Sequence, residues 1–139
     1  RFLQEAGKRE LAKAKRSERQ GVNYPISFIL IDIDNFKRIN DEEGHPAGDR
    51  VLQSVAALLV NVCREVDIVC RVGGDEFMIL LPQTAQEDAQ VVIDRLKELA
   101  QKELVSPKGR PIGLSCGVAQ EFSLADAGMY QEKKSKQKT

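Results

Sequence analysis

Eight residues restrict the fold of this chain more than any others. Residues 26–33, ISFILIDI, are apolar except for Ser27 and Asp32. A strand with one wet face alternates apolar and polar residues, whereas a strand covered on both faces is an almost unbroken apolar run. The stretch therefore predicts a central strand. Before it, residues 2–19 predict an amphipathic helix, with Phe2, Leu3, Ala6, Leu11 and Ala14 on a loose apolar face and Lys8, Arg9, Lys13, Arg16 and Arg19 on a solvated basic side. Gly21 to Pro25 separates the two.

After a polar connection, GHPAGD (44–49) predicts a loop feeding a helix whose apolar stripe is Val51, Leu52, Val55, Ala56, Leu59 and Val62. Hairpin strands follow at about 67–72 and 77–82, and Thr84 opens a helix with Ala89, Val92, Ile93, Leu96, Leu99 and Ala100 facing a core. The loop SPKGRP (106–111) leads to a last strand, IGLSCGVA (112–119), then to a short ADAGMY segment and a lysine-rich tail expected to fray. The βαββαβ order predicts an α+β fold, a ferredoxin-like sheet layered with helices. A length of 139 residues and an apolar fraction of 42% suit one domain over 1–139 with its own core.

Charge and cysteine content narrow the partners. The 21 basic residues balance the 21 acidic ones, which excludes a general field for a nucleic acid polymer or an anionic membrane and makes any anion site local. Cys63, Cys70 and Cys116 form no CxxC pair, and an odd count predicts buried thiols in a reducing compartment. No long apolar span occurs, so a cytoplasmic domain is expected, of a soluble or a membrane-anchored protein. The abrupt start inside a helical pattern at Arg1-Phe2-Leu3 predicts an N-terminally truncated piece of a longer protein.

Residues 71–82, RVGGDEFMILLP, pose a problem. Gly73-Gly74 suits a tight hairpin turn through positive φ angles, yet Asp75 and Glu76 crowd two charges onto its tip. Like charges about 4 Å apart repel by roughly 4 kcal/mol at an effective dielectric near 20. Asp32 and Asp34 lie on one face at the end of the first strand. If that strand neighbours the hairpin, Asp32 approaches Asp75 and Glu76, and an all-oxygen cluster of this kind favours Mg²⁺ or Mn²⁺ over Zn²⁺. Taken singly, each cluster also fits a solvated acidic turn. Asp34 is expected to cap the turn FKRIN, His45 to shape its loop, Lys37 fits an ordinary surface position, and Asn40 and Asp49 fit common turn and helix-start positions.

Five segments in order resemble the GGDEF family of diguanylate cyclases: DIDNFKRIND, GHPAGD, RVGGDEF, LSCGVA and a degenerate ADAGMYQEKK. The resemblance implies a palm-type fold and the condensation of two GTP into cyclic di-GMP across a homodimer, with a fused upstream sensory or regulatory domain. It implies that Asp32, the Ile33 carbonyl, Asp75 and Glu76 hold Mg²⁺ or Mn²⁺, with Glu76 alternatively helping to deprotonate the attacking hydroxyl. Asn35, Phe36, Lys37, Gly73, Gly74 and Lys133 match residues around the triphosphate, and Asn40 and Asp49 match guanine readers. Arg64 and Asp67 match an RxxD inhibitory site for the product, with Arg95 as a further arginine. The family's DxLT turn is absent, only five residues separate Ala119 from Ala125, and Gln137 stands where an arginine is usual. These departures keep open an alternative, a degenerate domain that senses cyclic di-GMP or GTP without turnover.

Overall fold

A computed structural model describes residues 2–21 and 24–119. The elements in chain order are α1 (Phe2–Arg19), β1 (Ile26–Ile33), α2 (Phe36–Glu43), α3 (His45–Val62), β2 (Ile68–Arg71), β3 (Glu76–Pro82), α4 (Gln86–Glu103) and β4 (Leu114–Ala119). The strands form one sheet in the order β2-β3-β1-β4, with every neighbouring pair antiparallel. This is the split βαβ arrangement of the ferredoxin-like α+β fold. The segment expected at the C-terminal end, ADAGMY and the tail, lies outside the described residues.

β1 is one of the two inner strands, with β3, and its apolar run follows from that place. Ile29, Ile31 and Ile33 point into the larger core, where Ile79 and Leu81 of β3 meet Val55 and Leu59 of α3 and Leu96 of α4. Ile26 and Phe28 join Met78 and Leu80 on the opposite face, against which Ala14 of α1 and Tyr24 pack. Tyr24 also donates its hydroxyl to Glu10 Oε2 at 2.8 Å, which ties α1 to the lead-in of β1. Burial first, and the Glu10 carboxylate second, push the Tyr24 hydroxyl up to about 12. The polar break at Ser27 is satisfied by donation to the Thr84 carbonyl at 2.7 Å.

Four expectations need correction. The polar connection after β1 is the helix α2, in which Ile39 is buried and Phe36 packs against the core; eight residues span too few turns for a repeat to stand out or for intrinsic stability. GHPAGD is not a loop: α3 begins at His45, Pro46 occupies its first turn, and only Gly44, at φ 92°, separates it from α2. Thr84 precedes α4 by two residues, and its hydroxyl donates to the Pro82 carbonyl. The three cysteines are half-buried rather than buried, although desolvation still pushes the Cys63 and Cys116 thiols up to about 12 and about 11.

Ile29 is fully buried and faces Ile79 and Val118 across the two ladders. Ile29→Ala should lower unfolding stability by about 2–5 kcal/mol through lost burial and the cavity left behind. Urea titration checks this, and an unshifted midpoint would place Ile29 outside the core.

Candidate functional site

Asp32 has Glu76 of β3 opposite it on one side and Ser115 of β4 on the other. The cross-strand register alone brings Asp32 and Glu76 onto the same face at neighbouring positions. Asp75 joins them because the Ile33 N–H donates to the Asp75 carbonyl at 3.1 Å, extending the β1–β3 ladder into the hairpin tip. One carboxylate oxygen from each of Asp32, Asp75 and Glu76 lies within 4.8 Å of the others. Three carboxylates and no nitrogen or sulfur donor form a set for a hard divalent cation. A cavity of about 260 Å³ opens beside them, lined by Leu30, Asp32, Val72, Glu76, Phe77 and Ser115 among others.

The turn that presents Asp75 differs from the expected one. Neither Gly73 nor Gly74 has a positive φ. Residues 72–75 span the turn, so the two-residue geometry that demands left-handed glycines does not arise. Gly73 serves space instead: a Cβ there would lie 3.3 Å from Glu76 Oε2. The turn is closed by Val72 N–H donating to the Glu76 carbonyl at 2.9 Å. Arg71 completes it, donating from Nη2 to the Gly74 carbonyl at 2.8 Å and from Nε to the Gly73 carbonyl at 3.1 Å. Arg71 escapes motif reasoning because its work is done on backbone carbonyls, although its place beside the glycine pair was a signal.

Between β1 and α2 the chain is pinned from β4. Asp34 donates its N–H to the Gly113 carbonyl at 3.0 Å and accepts from Ser115 Oγ at 2.5 Å. A Cβ at residue 113 would lie 2.8 Å from Asp34 Oδ2. Asp34 is therefore not the helix cap expected of it. The cap residue of α2 is Asn35, which adopts a left-handed φ of 58° and makes no side-chain cap bond. Phe36 packs against the larger core, and Lys37 is exposed in the first turn of α2, where backbone N–H groups lack intrahelical partners.

Asn40 sits where α2 crosses α3. Its Oδ1 occupies the space a Cβ on Gly48 would need, at 1.8 Å from that position. Gly48 thus permits the approach and brings the Asn40 amide beside the backbone next to Asp49, an exposed residue of α3. Gly48, Gly113 and Ser115 were not expected at the site, since their contribution is contact across chain segments. Exposed His45 is the first residue of α3. Lys133 lies outside the described residues.

The RxxD residues form a separate group. Asp67, with a side chain 3% exposed, accepts from the Arg64 backbone N–H at 2.7 Å and from Arg64 Nη2 at 2.8 Å. Arg64 Nη2 also donates to the Pro82 carbonyl and to Thr84 Oγ1, both at 2.9 Å. The hydrogen bond to Asp67, against a smaller opposing effect of burial, raises the guanidinium above its already high ordinary value. A second cavity of about 260 Å³ lies here, lined by Arg64, Asp67, Thr84, Asp88 and Val92 among others. Arg95 is exposed on α4 and is not among its lining residues, but lies one turn beyond Val92 on the same stripe.

A family model described as "Diguanylate cyclase, GGDEF domain" matches residues 1–139. The chain belongs to that family. It is 34% identical over 120 residues to the diguanylate cyclase DgcP of Pseudomonas aeruginosa, covering 78% of this chain and 18% of DgcP. It is 37% identical over 125 residues to the response regulator PleD of Caulobacter vibrioides, covering 80% of this chain and 28% of PleD. Among solved structures it matches the GGDEF domain of YfiN (TpbB) from Pseudomonas aeruginosa with a TM-score of 0.78 at 32% identity, over 98% of this chain and 88% of that one. The chain thus spans less than a third of either curated relative. Among the described residues, no helix is long and apolar enough to cross a membrane.

Carboxylate charges about 4.8 Å apart interact by roughly 1–3 kcal/mol between bulk and surface dielectric values. Asp75→Asn should therefore raise the melting temperature in the presence of EDTA, and the difference should shrink or reverse when Mn²⁺ is added. A parent protein that melts at the same temperature with and without Mn²⁺ would speak against cation binding at the trio.

Proposed function

We propose that this domain condenses two GTP molecules into cyclic di-GMP and releases pyrophosphate. The observation that carries the proposal is the convergence of Asp32, Asp75 and Glu76 next to the α2 loop, in a chain of this family. In each of two equivalent steps, the 3′-oxygen of one GTP bonds to the α-phosphorus of the other. The bond from that phosphorus to the bridging oxygen breaks, and its electron pair leaves with pyrophosphate. Two domains must face each other so that each hydroxyl reaches the opposite α-phosphate, which makes a homodimer the working form. A domain upstream of this one, sensory or regulatory, would govern that encounter in a cytoplasmic setting.

Asp32, Asp75, Glu76 and the Ile33 carbonyl suit Mg²⁺ or Mn²⁺, and an ion bound there supplies charge neutralisation at the phosphates and a lowered pKa at the attacking hydroxyl. Glu76 either completes this set or takes the hydroxyl proton. The N-terminal N–H groups of α2 at Asn35, Phe36 and Lys37, the Lys37 ammonium and the turn at Gly73 and Gly74 receive the triphosphate, with Lys133 as a further cation. Asp49 accepts from guanine N1–H and N2–H, a donor pair adenine lacks, and Asn40 completes the base contact. Asp75→Ala should abolish Mg²⁺-dependent product formation in a protein that still folds. Normal formation of cyclic di-GMP by that protein would exclude the site.

Gly48→Ala tests base selection separately, because its methyl group must displace the Asn40 amide while suiting a helix. GTP affinity by calorimetry should fall by about 1–3 kcal/mol, the usual cost of a lost buried hydrogen-bond partner, and ATP affinity should change little. Unchanged GTP affinity would remove Asn40 from the base site.

The same product would feed back at Arg64, Asp67 and Arg95. A guanidinium has five N–H donors in a planar fork, and the bonds within the domain use Nε and Nη2 while the side chain stays 53% exposed. A fork of this kind suits phosphate and the Hoogsteen edge of guanine. Occupation here would hold domains in an arrangement that keeps their active halves apart. Arg64→Ala should relieve inhibition by added cyclic di-GMP without altering GTP affinity. It should also lower stability, because the enclosed Asp67 carboxylate loses its guanidinium partner and keeps only the backbone N–H of residue 64. Undiminished product binding by the folded variant would reduce Arg64 to an ion-pair residue.

A further inference from the structure

Among the described residues, two buried side-chain atoms have no hydrogen-bond partner, Glu43 Oε2 and Arg110 Nη1. They belong to one cluster. Buried polar atoms are nearly always satisfied in native structures, so two exceptions in one ion-pair cluster call for an explanation. Glu43, the last residue of α2, has a side chain 1% exposed; its Oε1 accepts from the Lys108 N–H at 3.0 Å and its Oε2 lies 3.8 Å from Arg110 Nε. Arg110 Nη2 pairs with Glu42 Oε2, and Glu42 Oε1 accepts from Arg38 Nε at 3.1 Å. One guanidinium therefore spans the two carboxylates at the end of α2.

The loop carrying Arg110 is braced by its own hydrogen bonds. Ser106 N–H donates to the Arg110 carbonyl at 2.8 Å, Arg110 N–H donates to Ser106 Oγ at 3.0 Å, and Ile112 N–H donates to the Leu104 carbonyl at 3.1 Å. A few residues further on, Gly113 and Ser115 hold Asp34, two residues before α2 begins. A single segment, 106–115, thus grips α2 at both ends. Between the two grips, Asn40 rests on Gly48.

We propose that Arg110 and Glu43 are positioning residues for guanine selection, holding α2 in the orientation that keeps Asn40 beside Asp49. The inference rests on the assignment of those two residues to the base of GTP. The Glu43 side chain is enclosed while that of Arg110 is 36% exposed, and such a half-buried pair with unmet donors and acceptors adds little net stability, because desolvation and solvent screening offset the attraction. What it supplies is direction: Nη2 reaches Glu42 and Nε lies within 3.8 Å of Glu43 together only when α2 holds one angle to the loop. Once that tie is removed, α2 keeps its core anchor at Ile39 but gains freedom at its C-terminal end.

The test uses Glu43→Leu/Arg110→Met together, since replacing Arg110 alone would leave the enclosed Glu43 carboxylate without its cation, whereas replacing both by apolar residues of similar volume removes the charge and its partner at once. The double variant should melt near the parent temperature. Its KM for GTP should rise about tenfold with kcat within about twofold, and its preference for GTP over ATP should fall by a similar factor. Arg110→Lys keeps the charge but not the fork, and should raise KM severalfold while folding normally. A parent that prefers GTP, beside a folded double variant or an Arg110→Lys protein with parental KM and preference, overturns this inference alone. A parent that does not distinguish GTP from ATP overturns the guanine assignment and this inference with it.

Discussion

Antiparallel pairing on both edges of β1 is the constraint on which the rest of the molecule depends. It demands an apolar strand, because helices cover one face and α1 with Tyr24 covers part of the other. It also fixes the chemistry at the end of the strand, since residue 32 must stand between residues 76 and 115 once the ladders are in register. A slip of one residue would turn Asp32 into the larger core and Ile33 outward. Core burial therefore fixes carboxylate placement through a sheet that allows only one of the two parities.

The acidic trio sits on the thinly covered face of the sheet. The same face that buries Ile26 and Phe28 under α1 carries Asp32 and Glu76 at the other end of the strand pair. One surface thus passes from apolar to strongly acidic along the strand axis. Arg71 clasps the turn carbonyls, and Ile33 extends the ladder to Asp75, so the tip is held through its backbone.

α2 illustrates a different economy. Its eight residues, six of them polar, have little reason to be helical in isolation. Tertiary contacts make up the difference: Ile39 enters the core, Asn40 fits the space over Gly48, and the segment 106–115 fastens both flanks. The result is a short helix whose orientation is set from outside. Its N-terminal N–H groups and its Lys37 and Asn40 side chains inherit that orientation.

Much of this was legible in the residues. The apolar run 26–33, the stripes of α3 and α4 and the hairpin around residues 73–76 each carry a strong local signal, and they sufficed for the fold class and for expecting Asp32 to meet Asp75 and Glu76. The motif set sufficed for the family. Other features depended on approach between distant segments. α2 is hidden because its Phe36–Ile39 spacing is a single i, i+3 step, too short to read as a repeat, and the role of Asp34 is hidden because its partner is 81 positions away. Gly73 and Gly74 were credited with backbone freedom, while the packed hairpin shows that Gly73 leaves room for the Glu76 carboxylate. Sequence alone determined which residues must be inside and which carry charge, since hydrophobic burial and strand parity act locally. Only the tertiary structure decided that Gly48, Gly113, Ser115 and Arg110 serve α2 and its flanks, because close approach and hydrogen bonding between remote segments leave no periodic trace in either one.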